Sequence, residues 1–289
     1  MSAREELTTE WRARLTEHGL ERLDALLRSD FDADACNGVW AALTKPGLGG
    51  RRRWRWTLPA SDATGEQRIL YVKRYAATPL REQWDRAWRQ RAWGSRASWE
   101  HHQAQRLTEA HINVAGSAGY VEEMCGPFER RSAVLLEAAA GDGFDRVWSR
   151  LSAAGAAITR GAARHEITAR LARFAAAFHG TGCCHRDFYL CHIFADLDDD
   201  GIRPPRFTLI DLARTHYPRW RRMRWIIKDL AQLDASARHI GATRGDRWRF
   251  LRAYLNLPAR AARVKWYARR IVWKSDHILA RDERKRGQA

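Results

Sequence analysis

The stretch that most restricts what this chain can become is CCHRDFYLCHIF, residues 183–194, with the apolar run LIDL at 209–212 after it. Asp187 follows a His-Arg pair, His192 comes five residues later, and Asp211 lies 24 positions after Asp187 in the strand-like run. Residue types in this order suit phosphoryl transfer. A hydroxyl attacking phosphorus needs a carboxylate to orient it and take its proton. The charge on the transferred group needs a divalent metal, held by oxygen or imidazole ligands. A His-Arg-Asp tripeptide alone is common. Cys184, His185, Cys191 and His192 also read as a metal cluster, although zinc knuckles prefer CxxC pairs.

The remaining sequence has to scaffold that stretch, and 289 residues suffice for one large domain or two small lobes. Leu7, Trp11, Leu15, Leu20, Leu23 and Leu27 recur every three to five positions, which predicts a helical extension over residues 1–30. Alternation over residues 51–58, and again in RILYVKRY at 68–75, predicts an antiparallel meander. Residues 78–110 read as helix, 113–119 as a turn region, 132–136 as a short apolar strand and 141–143 as a hinge. Leu171, Phe174, Ala175 and Phe178 mark one face of a helix over 167–179. Residues 207–212 read as β, and the remainder as helix rich in Arg and Trp. A β-rich front and a helical back predict an α+β chain with an N-lobe over 31–139 and a C-lobe over 140–289. Five unevenly spread cysteines argue against a disulfide framework. A charged N-terminus and the lack of an apolar run of about 18 residues predict a cytoplasmic protein that does not cross a membrane.

With HRDFYLCHIF and the later IDLAR (210–214), the sequence resembles the lipopolysaccharide kinase family (Kdo/WaaP-type), bacterial enzymes that phosphorylate core sugars of lipopolysaccharide. Protein kinases have Lys-Pro-x-Asn where this chain has Tyr-Leu-Cys-His. The resemblance covers residues 44–255 and implies a bilobal protein-kinase-like fold that uses ATP and Mg²⁺. It makes Asp187 the base and places His192 and Asp211 on the metal, with His185 and Arg186 bracing the loop. It also implies a strand lysine that grips the α- and β-phosphates, which Lys73 supplies, and a helix glutamate to hold that lysine. Glu100 is the choice, so WDRAWRQRAWGSR (84–96) becomes an insertion; Glu82 is nearer but sits at a helix start after Pro79. Gly47, Gly49 and Gly50 fit a phosphate-covering turn, or a plain one. LLEA at 135–138 fits an adenine hinge at Glu137 and Ala138, or an ordinary strand end.

Charge bears on partners. The net charge is +17, and residues 203–289 carry 23 basic against 7 acidic side chains. A basic surface concentrated in this way implies an anionic partner. Arg219, Arg221, Arg222, Arg224 and Lys228 interleave with Trp220 and Trp225, and Trp248, Trp266 and Trp273 follow. Indole with guanidinium suits a membrane interface, and also single-stranded nucleic acid. Several of these tryptophans also read as core anchors. Beside phosphotransferase motifs, the pattern favours an anionic glycolipid or sugar acceptor at the inner-membrane surface over nucleic acid. The rivals are a protein or small-molecule kinase of the same fold and a catalytically inactive kinase-like scaffold at the membrane. The acceptor sugar, heptose or Kdo, and the oligomeric state stay open at this level.

Overall fold

A computed structural model of the chain describes residues 3–28, 31–33, 36–43, 52–60, 67–90, 93–197, 205–258 and 260–287. Two compact units emerge, Met1–Glu109 with Val114–Ala139, and Ala110–Asn113 with Ala140–Ala289.

The first unit is built on an antiparallel sheet of β1 (Arg4–Leu7), β2 (Val39–Ala42), β3 (Arg52–Leu58), β4 (Arg68–Ala76), β5 (Ser117–Cys125) and β6 (Phe128–Glu137). Its strand order is β1-β5-β6-β4-β3-β2. The predicted meander is therefore present, and the short strand expected at 132–136 is the middle of the longer β6. Alternation along the central β4 decides what covers each face. Leu70 and Val72 point into a core with Trp11, Leu15, Leu23, Leu27 and Trp56. Tyr71 and Tyr75 point the other way, into a cluster with Ala97 and Val134. Period two puts Lys73 on this second face.

The N-terminal segment differs from the extension expected over residues 1–30. Arg4–Leu7 is a strand paired with β5, with Glu5 opposite Val121. Behind it, α1 (Thr9–Glu17) and a 3₁₀ turn at Leu23–Leu27 bury Trp11, Leu15, Leu23 and Leu27 on the sheet. The physical reason lies in β4. An open face carrying Leu70 and Val72 has to be covered, and each large apolar side chain buried there contributes about 1.5–3 kcal/mol. The helix expected over 78–110 is two helices, α2 (Leu80–Gln90) and α3 (Arg96–Glu109). Ser95 opens the second, its hydroxyl accepting from the Ser98 N–H at 3.0 Å.

The second unit holds β7 (Asp142–Gly143), α4 (Phe144–Ala153), α5 (Gly161–Gly180), β8 (Ile193–Asp196), β9 (Arg206–Leu209), α6 (Arg222–His239), α7 (Arg244–Leu255) and α8 (Ala262–Arg286). β7, β8 and β9 form a three-stranded sheet, α6 packs on α8, and α5 packs on α7. The run at 207–212 splits, because β9 ends at Leu209 and residues 212–214 turn as 3₁₀ helix. Gly141, read from sequence as part of a hinge, has φ +77°, and a Cβ there would collide with the Ala195 carbonyl of β8. No helix among the described residues is long and apolar enough to cross a membrane.

Candidate active site

In the first unit, the β4 face carrying Lys73 is covered by α3. The Lys73 ammonium donates to Glu100 Oε1 at 2.7 Å, and the Tyr75 hydroxyl donates to Glu100 Oε2 at 2.9 Å. Both members of the ion pair are buried. Each carboxylate oxygen has a partner, which is the condition under which a buried pair is tolerated. Glu82 lies exposed in the first turn of α2. Lys73 thus meets Glu100 across a separation of 27 positions.

Glu137 and Ala138 close β6. The Glu137 N–H donates to the Gly116 carbonyl at 2.9 Å and the Ala138 N–H to the Ile69 carbonyl at 3.0 Å. The Glu137 carboxylate accepts from the Trp11 indole at 2.8 Å. Both N–H groups are committed within the first unit, so an adenine hinge at Glu137 and Ala138 is left with their carbonyls. Gly47, Gly49 and Gly50 lie outside the described residues.

In the second unit, β8 and β9 bring the metal-type residues together. Ile193 pairs with Leu209, so His192 and Asp211 leave the ladder side by side. The Ile210 N–H donates to the His192 carbonyl at 3.0 Å. His192 Nε2 lies 4.0 Å from Asp211 Oδ2, and His192 Nδ1 lies 2.7 Å from the Asp187 carbonyl. A carbonyl only accepts, so Nδ1 carries the hydrogen and Nε2 is the atom turned to Asp211. Burial disfavours the charged ring, but Cys191, the Asp187 carbonyl and the Asp211 carboxylate outweigh it and raise His192 to about 9. Nε2 therefore holds a proton opposite Asp211, where a metal would replace it. An imidazole and a carboxylate at this spacing fit a divalent cation whose other ligands come from phosphates and water.

His185 is fully buried. Burial, then repulsion from His192, lowers its pKa, so the neutral ring donates from Nε2 to the Ile210 carbonyl at 3.0 Å. It thereby ties the Asp187 segment to the residue before Asp211. Asp187 itself is partly exposed, and its carboxylate accepts twice from Arg214 Nη1, at 2.9 and 2.7 Å. Arg186 (φ 73°) and Asp211 (φ 59°) adopt left-handed backbone conformations, each at a cost of about 1–3 kcal/mol that the surrounding bonds must offset.

Those bonds come largely from α6. Asp229 accepts from the His185 N–H at 2.6 Å and the Arg186 N–H at 2.9 Å. Gln232 accepts from the Phe188 N–H at 3.2 Å, and Ser236 from the Leu190 N–H at 3.1 Å. Lys228 donates to the Arg186 carbonyl at 2.5 Å. Burial pushes the Asp229 carboxyl up, but His179, His185 and the backbone donors more than compensate and hold it below the usual range. Asp229, Gln232 and Ser236 are positioning residues that the motif reading missed. Their trace in the sequence is three polar residues at i, i+3 and i+7 within IIKDLAQLDAS, along one face of α6.

Against this geometry, residues 47–254 match the model of the lipopolysaccharide kinase (Kdo/WaaP) family. The chain is 30% identical over 202 residues to the lipopolysaccharide core heptose(I) kinase WaaP of Pseudomonas aeruginosa, an alignment spanning 66% of this chain and 71% of the relative. It is 29% identical over 164 residues to the protein of the same name from Escherichia coli K12, covering 56% of this chain and 60% of that one. A solved structure, WaaP in complex with acyl carrier protein, superposes with a TM-score of 0.59 at 24% identity, covering 99% of this chain and 98% of that one. That likeness gives the fold, and the β-rich first unit and helical second unit match the expected kinase-like α+β architecture. The chain belongs to the lipopolysaccharide kinase (Kdo/WaaP) family.

Proposed function

We propose that this phosphotransferase moves the γ-phosphate of ATP onto a hydroxyl of a lipopolysaccharide core sugar, heptose or Kdo, with Asp187 as the base. The observation that carries the reading is the second-unit constellation: Asp187, His192 and Asp211 within one bonded frame, with His192 Nδ1 on the Asp187 carbonyl and Nε2 toward Asp211. The acceptor class is that of the relatives, lipopolysaccharide core heptose(I) kinases.

In this reading His192 and Asp211 hold Mg²⁺, which when bound neutralises charge on the β- and γ-phosphates. Lys73 grips the α- and β-phosphates, and Glu100 keeps its ammonium in place. Gly47, Gly49 and Gly50 are the proposed phosphate cover. Asp187 orients the acceptor hydroxyl and takes its proton as the bond to phosphorus forms. Arg214 occupies both Asp187 oxygens, so the acceptor hydroxyl has to compete with a guanidinium. The basic, Trp-bearing C-terminal third is the proposed contact with an anionic bilayer on the cytoplasmic side.

The test is transfer of labelled γ-phosphate from ATP, with Mg²⁺, to lipopolysaccharide lacking core phosphates and to a generic protein. Label in the glycolipid alone, lost in Asp187→Ala, supports the reading. Label in the protein acceptor favours a protein kinase. No label despite ATP binding favours the inactive scaffold.

A second reading concerns a partner. The helical unit carries a half-open cavity of about 600 Å³ lined by Phe144, Trp148, Leu171, Leu233, Trp248 and Leu251, among others. Its apolar lining suits an acyl chain, and the surplus of basic residues suits an acidic carrier. We therefore propose an acylated acyl carrier protein as partner. Leu233→Trp should weaken binding of the acylated carrier and leave the unacylated one unaffected.

A further inference from the structure

Helix α2 is inside out. Gln83 and Gln90 are buried, while Leu80, Trp84 and Trp88 are 59%, 54% and 84% exposed. These three sit at i, i+4 and i+8, so they form one stripe, and the glutamines lie about 110° around the helix from it. Ordinary packing gives the reverse pattern. The polar side is firmly anchored within the first unit. Gln83 exchanges two hydrogen bonds with the Glu129 backbone, at 2.7 and 3.2 Å. Arg86 donates to the Gly94 carbonyl at 2.7 Å. The buried Glu129 carboxylate is itself held by Arg96 and Ser132. The helix is thus fixed with its indoles outward. Phe128 meets Trp84 edge-on at 5.9 Å, and Trp93 is 67% exposed just past the helix. This segment is the insertion between Lys73 and Glu100, and the nucleotide half-site makes no use of it.

Size and chemistry select the occupant. An 11-residue helix is about 16 Å long, and with a face about 10 Å wide it presents about 160 Å². A specific protein interface needs about 800 Å² per partner. A bilayer sets no such minimum, because each indole can enter the headgroup region separately. Exposed Arg81 flanks the stripe, and the +17 chain is drawn as a whole to an anionic surface.

We propose that the Leu80–Trp84–Trp88 face of α2 inserts into the headgroup layer of an anionic phospholipid bilayer, as a contact separate from the basic C-terminal third. This does not rest on the kinase reading, because vesicle binding requires no turnover.

The test is partitioning of the full chain onto phosphatidylglycerol/phosphatidylcholine vesicles, for wild type, Trp84→Ala/Trp88→Ala and Trp88→Glu. The partition coefficient should fall at least tenfold in both variants. The thermal midpoint should be unchanged in Trp88→Glu, because Trp88 already faces water, and should fall only slightly in the double variant, which gives up the edge contact of Trp84 with Phe128. Phosphate transfer to a delipidated acceptor should also stay at the wild-type level. Wild-type partitioning by both variants would overturn the proposal. So would a wild-type dimer that the double variant abolishes with no change in vesicle binding, which would assign the stripe to a second copy of the chain.

Discussion

The two half-sites are assembled by opposite means. In the first unit, Lys73 and Glu100 meet as side chains, buried and 2.7 Å apart, with a tyrosine hydroxyl completing the set. In the second, Asp187, His192 and Asp211 are partly exposed, and the backbone beneath Asp187 is held. Four N–H groups of residues 185–190 go to Asp229, Gln232 and Ser236 on one face of α6. A buried ion pair couples function to stability, because removing either charge strands the other in a poorly solvated place. A backbone-held loop separates the two, since an exposed carboxylate can be removed without disturbing the frame below it.

That contrast is open to being broken by mutation. The largest effect is expected from Asp187→Ala, with kcat falling about 10³-fold, an unchanged thermal midpoint and retained ATP affinity. A large stability loss in this variant would mean that the loop depends on the Asp187–Arg214 pair after all. Glu100→Ala should cost about 3–5 kcal/mol in denaturant unfolding and weaken ATP binding. Replacing both partners, as in Lys73→Met/Glu100→Leu, should recover most of that stability and none of the ATP binding. Equal unfolding free energies for the single and double variants would remove the argument for a stranded charge.

Asp229→Asn should cost about 2 kcal/mol and lower kcat with little change in the KM for ATP, since it loosens the loop without touching nucleotide. The Asp229 carboxyl is held below its ordinary value, so its stabilising contribution is present above the unfolded value near 3.8 and is lost as pH falls through the folded one. The stability gap between wild type and Asp229→Asn should therefore narrow in acid. The smallest effect belongs to Lys228. Burial is the main cause lowering its ammonium to about 8, so the cation beside Arg186 is lost as pH rises through that value. Wild-type turnover should decline several-fold on that limb, and Lys228→Arg should flatten it. An identical limb in both proteins would clear Lys228.

Legibility from sequence follows the same division. That Lys73 meets Glu100, and that Asp187, His192 and Asp211 come together, could be anticipated because each is a charged or ligating side chain at a spacing that the proposed chemistry requires. The choice of Glu100 over Glu82 was open to reading because only a residue deep in a helix is covered on the strand face. The clamp from α6 was not, because a hydrogen bond to a backbone N–H places no demand on the residue that owns it. Residues 1–30 misled for a related reason. Leu7 fits the helical spacing of the apolar residues after it, and only pairing with β5 makes its segment a strand.

The sequence by itself determined the candidate residues, Lys73, Asp187, His192 and Asp211, the order in which they occur, and a basic C-terminal third that suits an anionic partner. Only the tertiary structure decided the rest. It put Asp229, Gln232 and Ser236 beneath the loop and sent the Glu137 and Ala138 N–H groups into the sheet. It also turned Trp84 and Trp88 outward while burying Gln83. The physical reason is common to all three. A spacing pattern states which residues share a face, but which face is buried depends on what packs against it, and a partner 21 to 69 residues away leaves no local trace.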